Sequence, residues 1–146
     1  MKKSVIYFTI LAILCVSGVV GCSKKKESNR DTEQNITRQL QEVNAENIEI
    51  ETHEVVMQTD REGTVKLTVK LPDYEELYKE AYDTENPDQY LLTALQSGTY
   101  TAIQYEITAK VTIENGKEVI HKDEAVKELL EEELSKATNA LMEDVQ

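Results

Sequence analysis

The sequence predicts an α+β fold, a two-layer arrangement in which about three to four helices pack on an antiparallel sheet built from two hairpins. Apolar and polar residues alternate over 64–71 and again over 103–113, which is typical of half-buried strands. Asn115-Gly116 is a strong signal for a tight hairpin turn. Segments with apolar residues at helical spacing lie between and after these strands, so the expected order is (α)ββααββα. The bracketed helix precedes a single domain over residues 46–146.

A first helix is expected over residues 32–43, where Ile36, Leu40 and Val43 recur at spacings of four and three. Asp31 or Thr32 can cap its start. The apolar stripe is thin. The helix is therefore either packed onto the domain or a transient helix within a tether that covers residues 22–45.

The first hairpin follows this helix. Ile48 and Ile50 alternate with glutamates, and the alternation loses phase near residues 53–55, which predicts a bulge or bend. Residues 60–63 contain Asp and Gly and predict the turn. The strand over 64–71 then completes an antiparallel pair with one face toward solvent.

Two helices are expected between the hairpins. Asp73 and Glu76 form a capping pair for the first of them, and Asn86-Pro87 begins the second, which ends at Gly98. The first helix carries a stripe of apolar and aromatic residues at helical spacing: Tyr74, Leu77, Tyr78, Ala81 and Tyr82.

The tyrosine stripe admits two interpretations. A stripe at helical spacing is typical of core packing. Tyrosine is also favoured on binding surfaces, so Tyr74, Tyr78 and Tyr82, with Tyr90 nearby, could line a groove between this helix and the sheet. Such a groove would bind a peptide, a glycan or a partner strand.

The second hairpin is the best defined element. A two-residue Asn-Gly loop pairs Glu114 with Lys117 and Val111 with Ile120, and it places His121 opposite Lys110. Asp123 is expected to cap a closing helix. The apolar face of that helix consists of Val126, Leu129, Leu130, Leu134, Ala137 and Leu141.

The first 21 residues predict a secretory signal peptide. Lys2 and Lys3 precede an apolar run over 5–20, which is shorter than the roughly 20 residues needed to span a membrane. The run ends in Val19-Val20-Gly21-Cys22, which resembles the lipobox of bacterial lipoproteins. The resemblance covers this segment alone and implies cleavage after Gly21, with a diacylglycerol thioether on Cys22 and further acylation, such as palmitate.

The same resemblance implies a cell-envelope protein held by its lipid at the extracytoplasmic face of a membrane. Ser23 follows the cysteine, in place of the Asp that is associated with inner-membrane retention in bacteria with two membranes. The Trp-free composition, rich in Lys, Glu and Ile, resembles that of Gram-positive sources. The alternative is an uncleaved signal anchor, because lysines at 24–26 put positive charge on both sides of the apolar run.

Composition excludes several functional classes. The formal charge of −12 makes nucleic acid a poor partner. Once Cys15 leaves with the signal peptide, Cys22 is the only cysteine, so thiol-dependent enzymes are excluded. Neither His53 nor His121 has a metal-ligand spacing around it, and no metal site or cofactor is expected. The acidic residues at 83, 85 and 88 suit helix capping better than calcium binding.

Two functions remain. The first is a non-enzymatic envelope lipoprotein that binds a protein or peptide partner, because no catalytic motif is found. The alternative is an accessory lipoprotein of transport or cell-wall metabolism that binds a small molecule or glycan. A concave pocket lined by tyrosine would favour the alternative, and an exposed sheet edge the first. By element order alone, the domain is similar to cystatin-like and nuclear-transport-factor-like folds, and this likeness carries no function.

The lipid anchor is directly testable. We expect Cys22→Ala to abolish incorporation of labelled fatty acid, because the cysteine sulfur is the atom that carries the diacylglycerol. The measurement is metabolic labelling followed by immunoprecipitation, with Cys15→Ala as the matched control that keeps its label. Persistent labelling of Cys22→Ala would contradict the lipobox assignment.

Overall fold

The structure is a computed structural model that describes the backbone of residues 28–145 and the side chains of residues 35–144. The predicted signal peptide and Cys22 therefore lie outside the described residues. The elements in chain order are α1 (Ser28–Glu46), β1 (Glu49–Met57), β2 (Glu62–Pro72), α2 (Tyr74–Tyr82), α3 (Pro87–Ser97), β3 (Ala102–Glu114), β4 (Lys117–Ile120) and α4 (Lys122–Val145). This order confirms the predicted α+β class.

The four strands form one antiparallel sheet in the order β1-β2-β3-β4. The predicted register of the second hairpin is confirmed, since Glu114 pairs with Lys117 and Val111 with Ile120. Asn115 and Gly116 both have positive φ angles, 52° and 76°, as the two-residue turn requires. The long pairing of β2 with β3 joins the two hairpins into a continuous sheet.

The core lies on one face of the sheet. In β2 the four residues Val65, Leu67, Val69 and Leu71 are each at most 1% exposed, and the intervening threonines and lysines face the other side. Buried residues of all four helices join these strands in a single cluster. The opposite face of the sheet carries the polar residues of β2 and β3 and is open to solvent.

The predicted irregularity in β1 is a bulge. Thr52 pairs with Leu67 and Val55 with Val65, so the two residues His53 and Glu54 lie opposite a single residue of β2. This restores Val55 to the core-facing side after the phase of the alternation is lost. The strand still belongs to the first hairpin, as the sequence predicts.

Helix boundaries follow the predicted caps in α2 and α3. The Asp73 carboxylate accepts a hydrogen bond from the Glu76 N–H at 3.2 Å, and Asn86 accepts from the Gln89 N–H at 3.5 Å. Gly98 ends α3 in the left-handed conformation. The expectation for α4 was wrong in detail: the helix begins at Lys122, so Asp123 lies inside its first turn, where its charge still favours the helix dipole.

Gly63 has a different role from the turn residue that the sequence predicts. It lies within β2, paired with Met57 on one side and Val111 on the other. A Cβ atom at this position would lie 2.6 Å from the Met57 Sδ and 2.7 Å from the Val56 carbonyl oxygen. Glycine is therefore required by the close approach of the β1 backbone.

Within the described range, no helix combines the length and apolar character needed to cross a membrane.

We expect Gly63→Ala to lower the free energy of unfolding by about 1–3 kcal/mol, because the Val56 carbonyl belongs to the backbone and cannot move away from the new methyl group. Urea denaturation measures this. The matched control is Gly98→Asn. A Cβ atom at position 98 meets no atom within 4 Å, and asparagine tolerates the positive φ of this position. An equal loss in both variants would contradict the crowding at Gly63.

Candidate functional site

The predicted lipidation motif, Val19, Val20, Gly21 and Cys22, lies outside the described residues. The described part of the chain begins with α1, which is longer than the predicted helix over 32–43. The sites that the structure can locate are the tyrosines, the histidines and the surfaces of the sheet.

Two of the four candidate binding tyrosines lie in the core. Tyr74 is 4% exposed and Tyr78 is 1% exposed, and their ring centroids are 6.2 Å apart. Burial raises the pKa of both hydroxyl groups well above the usual range. The surface interpretation does not hold for this pair, because both side chains belong to the buried core cluster.

The other two tyrosines do not extend a groove. Tyr82 is half-buried and packs against the edge of the core. Tyr90, on α3, donates a hydrogen bond to the Glu80 carboxylate at 2.7 Å, and this contact raises the pKa of the Tyr90 hydroxyl. The predicted tyrosine set is thus divided between the core and its rim.

A pair of asparagines joins α1 to the body of the domain. The Tyr74 hydroxyl donates to the Asn44 side-chain oxygen at 2.6 Å, and the Tyr100 hydroxyl donates to the Asn47 oxygen at 2.5 Å. Asn44 is itself buried, and Leu40, one turn earlier, is 0% exposed. The carboxyl-terminal half of α1 is therefore packed onto the domain.

Asn47 also connects α1 with α3. Its amide nitrogen donates to the carbonyl oxygens of Val43 and Leu95, at 2.8 Å and 2.9 Å. These two acceptors lie in the last turns of α1 and α3, where carbonyl groups lack partners within their own helix. The Asn47 side chain thus joins the end of α1 to the end of α3 and to Tyr100.

On the same face of the sheet, α4 is held by a polar contact at the rim of the core. The Tyr105 hydroxyl donates to the Glu133 carboxylate at 2.7 Å, and Lys136 lies 2.8 Å from the same carboxylate. Burial, together with the hydrogen bond to Glu133, raises the pKa of Tyr105 above its ordinary range. The group is neutral at physiological pH and acts as a hydrogen-bond donor.

The hydrogen bonds of Asn44 and Asn47 with Tyr74 and Tyr100 form what we call the asparagine junction. A shallow cavity of about 220 Å³ lies beside it. Its polar wall is formed by Asn47, Glu49, Lys70 and Tyr100. These groups are already paired with one another, since Lys70 lies 3.7 Å from Glu49 and Tyr100 donates to Asn47. The cavity is smaller than the pockets of roughly 300–1,000 Å³ that bind small molecules.

Both histidines form hydrogen bonds with threonines on the solvent face of the sheet. The His53 Nε2 lies 2.6 Å from the Thr68 Oγ1, and the His121 Nε2 lies 2.8 Å from the Thr112 Oγ1. Within residues 35–144 no group of His, Cys, Asp and Glu is arranged to hold a metal ion.

The most exposed of the four strands is β1, an edge strand in which eight of nine residues are exposed. The orientation of the β1 backbone follows from two hydrogen bonds at the start of β2. The Gln58 N–H donates to the Glu62 carbonyl at 3.0 Å, and the Ile113 N–H donates to the Arg61 carbonyl at 2.9 Å. Since the direction alternates along an antiparallel strand, the even-numbered residues of β2 bond to β1 and the odd-numbered ones to β3.

The outward-facing backbone groups of β1 can now be assigned. Glu49, Glu51 and Val56 pair with even-numbered residues of β2, so their N–H and C=O groups point inward. The residues that alternate with them direct the same groups away from the sheet: Ile50, Thr52, Val55 and Met57. In the described structure these groups face an open edge.

The solvent side of the edge carries Glu49, Glu51 and the exposed Val56, and the core-facing side carries Ile50, Thr52, Val55 and Met57. Glu49 and Glu51 share the solvent face, and Glu54 lies in the bulge between them and Val56. The described residues provide no ion-pair partner within 4.0 Å for either Glu51 or Glu54. On the core-facing side, Ile50 is 38% exposed and Met57 is 37% exposed, although their cross-strand neighbours in β2 are buried.

Two features of this site are missing from the sequence-based prediction. Asn44 and Asn47 extend the helical stripe of Leu40 and Val43 at the expected spacing, and this was the available signal for their role. The open edge gave no local signal, because the sequence of β1 does not state which strands flank it.

Comparisons with protein-family models, with curated proteins and with solved structures found no match to this chain.

The tyrosine pair of α2 offers a matched test of the asparagine junction. We expect Tyr74→Phe to lower the free energy of unfolding by about 1–3 kcal/mol, because the buried Asn44 oxygen loses its donor. Tyr78→Phe should leave stability unchanged or raise it, since the Tyr78 hydroxyl has no hydrogen-bond partner among the described residues. Urea denaturation of the two variants checks this, and a larger loss in Tyr78→Phe would contradict the assignment.

Proposed function

We propose that this protein is a bacterial cell-envelope lipoprotein, anchored through Cys22 at the extracytoplasmic face of the membrane, that binds a protein or peptide partner and performs no catalysis. The lipobox-like segment Val19-Val20-Gly21-Cys22 supports the anchor. A diacylglycerol with a further acyl chain gives stable attachment, whereas a single chain holds a protein only marginally.

The observation that carries the binding function is the exposed edge strand β1. Eight of its nine residues are exposed, and alternate backbone groups are directed away from the sheet. Unpaired N–H and C=O groups on a sheet edge are the feature by which domains of many kinds accept an extended segment from a partner.

Other features favour binding of a protein or peptide over capture of a small molecule. The cavity of about 220 Å³ is small, and its polar groups are paired with one another. Tyr74 and Tyr78, the best candidates for an aromatic ligand pocket, contribute their rings to the core. The accessory role in transport or cell-wall metabolism is therefore the less supported alternative.

The test is cross-linking of the intact lipoprotein in its own membranes, followed by recovery and identification of the attached proteins. We expect one envelope protein to be recovered reproducibly, because the domain is held at the membrane surface with its edge strand free. A variant shortened only within residues 23–27 is the control and should retain the partner, because it leaves α1 and its contacts through Leu40 and Asn44 intact.

Recovery of this chain alone, at native abundance and with a working positive control, would contradict the partner-binding function. Thermal-shift measurements with glycans, peptides and cations would then test the alternative.

A further inference from the structure

We infer that the open edge of β1 binds an extended segment of a partner protein in which apolar and basic residues alternate, and that this segment adds to the sheet as a fifth strand. The inference rests on the proposed function and specifies the chemistry of the partner. It follows from three properties of β1: its free backbone groups, its exposed apolar row and its unpaired acids.

The backbone supplies the attachment. Ile50 and Thr52 before the bulge, and Val55 and Met57 after it, direct their N–H and C=O groups outward. An added strand would form hydrogen bonds with these groups in the pattern that already joins β1 to β2. Because such bonds involve only the main chain, they accept any extended segment, and the side chains must provide the selectivity.

One row of side chains selects apolar residues. Ile50 and Met57 lie on the core-facing side of the sheet, yet they remain 38% and 37% exposed because β1 is the last strand. Residues directly opposite them on an added strand would lie on the same face. Apolar side chains at those positions would extend the core-facing row and cover these two residues.

The other row selects basic residues. Glu49 and Glu51 lie on the solvent face, with Glu54 beside them in the bulge. In the described part of the chain, Glu51 and Glu54 form no ion pair within 4.0 Å. Opposite charges on neighbouring strands stabilise their pairing and like charges oppose it, so lysine or arginine fits this side.

The same row disfavours a second copy of this chain. Antiparallel pairing of two β1 strands centred between Thr52 and His53 places Glu51 opposite Glu54, and pairing centred on Glu51 places the two Glu51 side chains opposite each other. The whole chain carries a formal charge of −12, which adds a general repulsion between copies. A partner of opposite charge is therefore the occupant that the edge accepts.

The first test uses a nine-residue peptide of alternating lysine and valine with the purified full-length protein in detergent, measured by fluorescence anisotropy. Two controls carry N-methyl groups, one on all valine amides and the other on all lysine amides. In antiparallel addition the valine amides face β1, and in parallel addition the lysine amides do. We expect one of the two methylated peptides to lose binding and the other to keep it.

The second test compares two charge reversals. Glu51→Lys lies on β1, while Glu106→Lys lies on the same solvent face, opposite Thr68, in the part of β3 that does not pair with β4. The pair of variants therefore separates the edge of β1 from the second uncovered edge of the sheet. Both positions are exposed, so both variants should fold, and circular dichroism checks this. We expect Glu51→Lys to weaken peptide binding about three- to tenfold and Glu106→Lys to weaken it less than twofold.

Equal binding of both methylated peptides, or equal weakening by both charge reversals, would overturn strand addition in favour of general attraction to an acidic surface. Reversible self-association in analytical ultracentrifugation, abolished by competition with the lysine-valine peptide, would overturn the choice of occupant. These failures are separate from failure of the proposed function, because membrane cross-linking can still capture a partner that binds elsewhere on the domain.

Discussion

The hydrogen bonds from two tyrosine hydroxyls to two asparagine side chains hold α1 on the domain, and the position of β1 depends on them. Tyr74 donates to Asn44 and Tyr100 donates to Asn47, while Leu40 closes the core beneath them. Since β1 begins at Glu49, directly after this junction, the docked end of α1 determines where the first strand enters the sheet. The carboxyl-terminal half of α1 is thereby joined to the sheet that bears the open edge.

An open edge strand is a hazard for aggregation, and β1 carries the features that limit it. Proteins protect such edges with charged residues and bulges. Here the bulge lies between Thr52 and Val55 and contains Glu54, and Glu49 and Glu51 precede it. The edge keeps its outward backbone groups while repelling copies of itself. This combination supports the inferred partner of opposite charge.

Much of the fold could be predicted from local patterns. The alternation over 64–71 and 103–113, the Asn115-Gly116 turn and the cap at Asp73 each specify their element within a few residues. The sequence alone could not decide between a docked and a transient α1, because the helical spacing of Asn44 and Asn47 does not reveal their tyrosine donors, which lie far away in sequence. The openness of β1 is a property of strand order, and Gly63 is required by a neighbouring strand, so neither is encoded locally.

Native-state hydrogen exchange of α1 tests the central claim, that the carboxyl-terminal half of this helix is part of the folded domain. If the asparagine junction holds, the amides of residues 41–46 should be protected to about the same degree as those of the buried helix α3. Residues of α1 before Ile36, which lie ahead of the buried stripe, should exchange faster. Exchange of residues 41–46 at the rate of an unstructured peptide, with α3 still protected, would contradict the account.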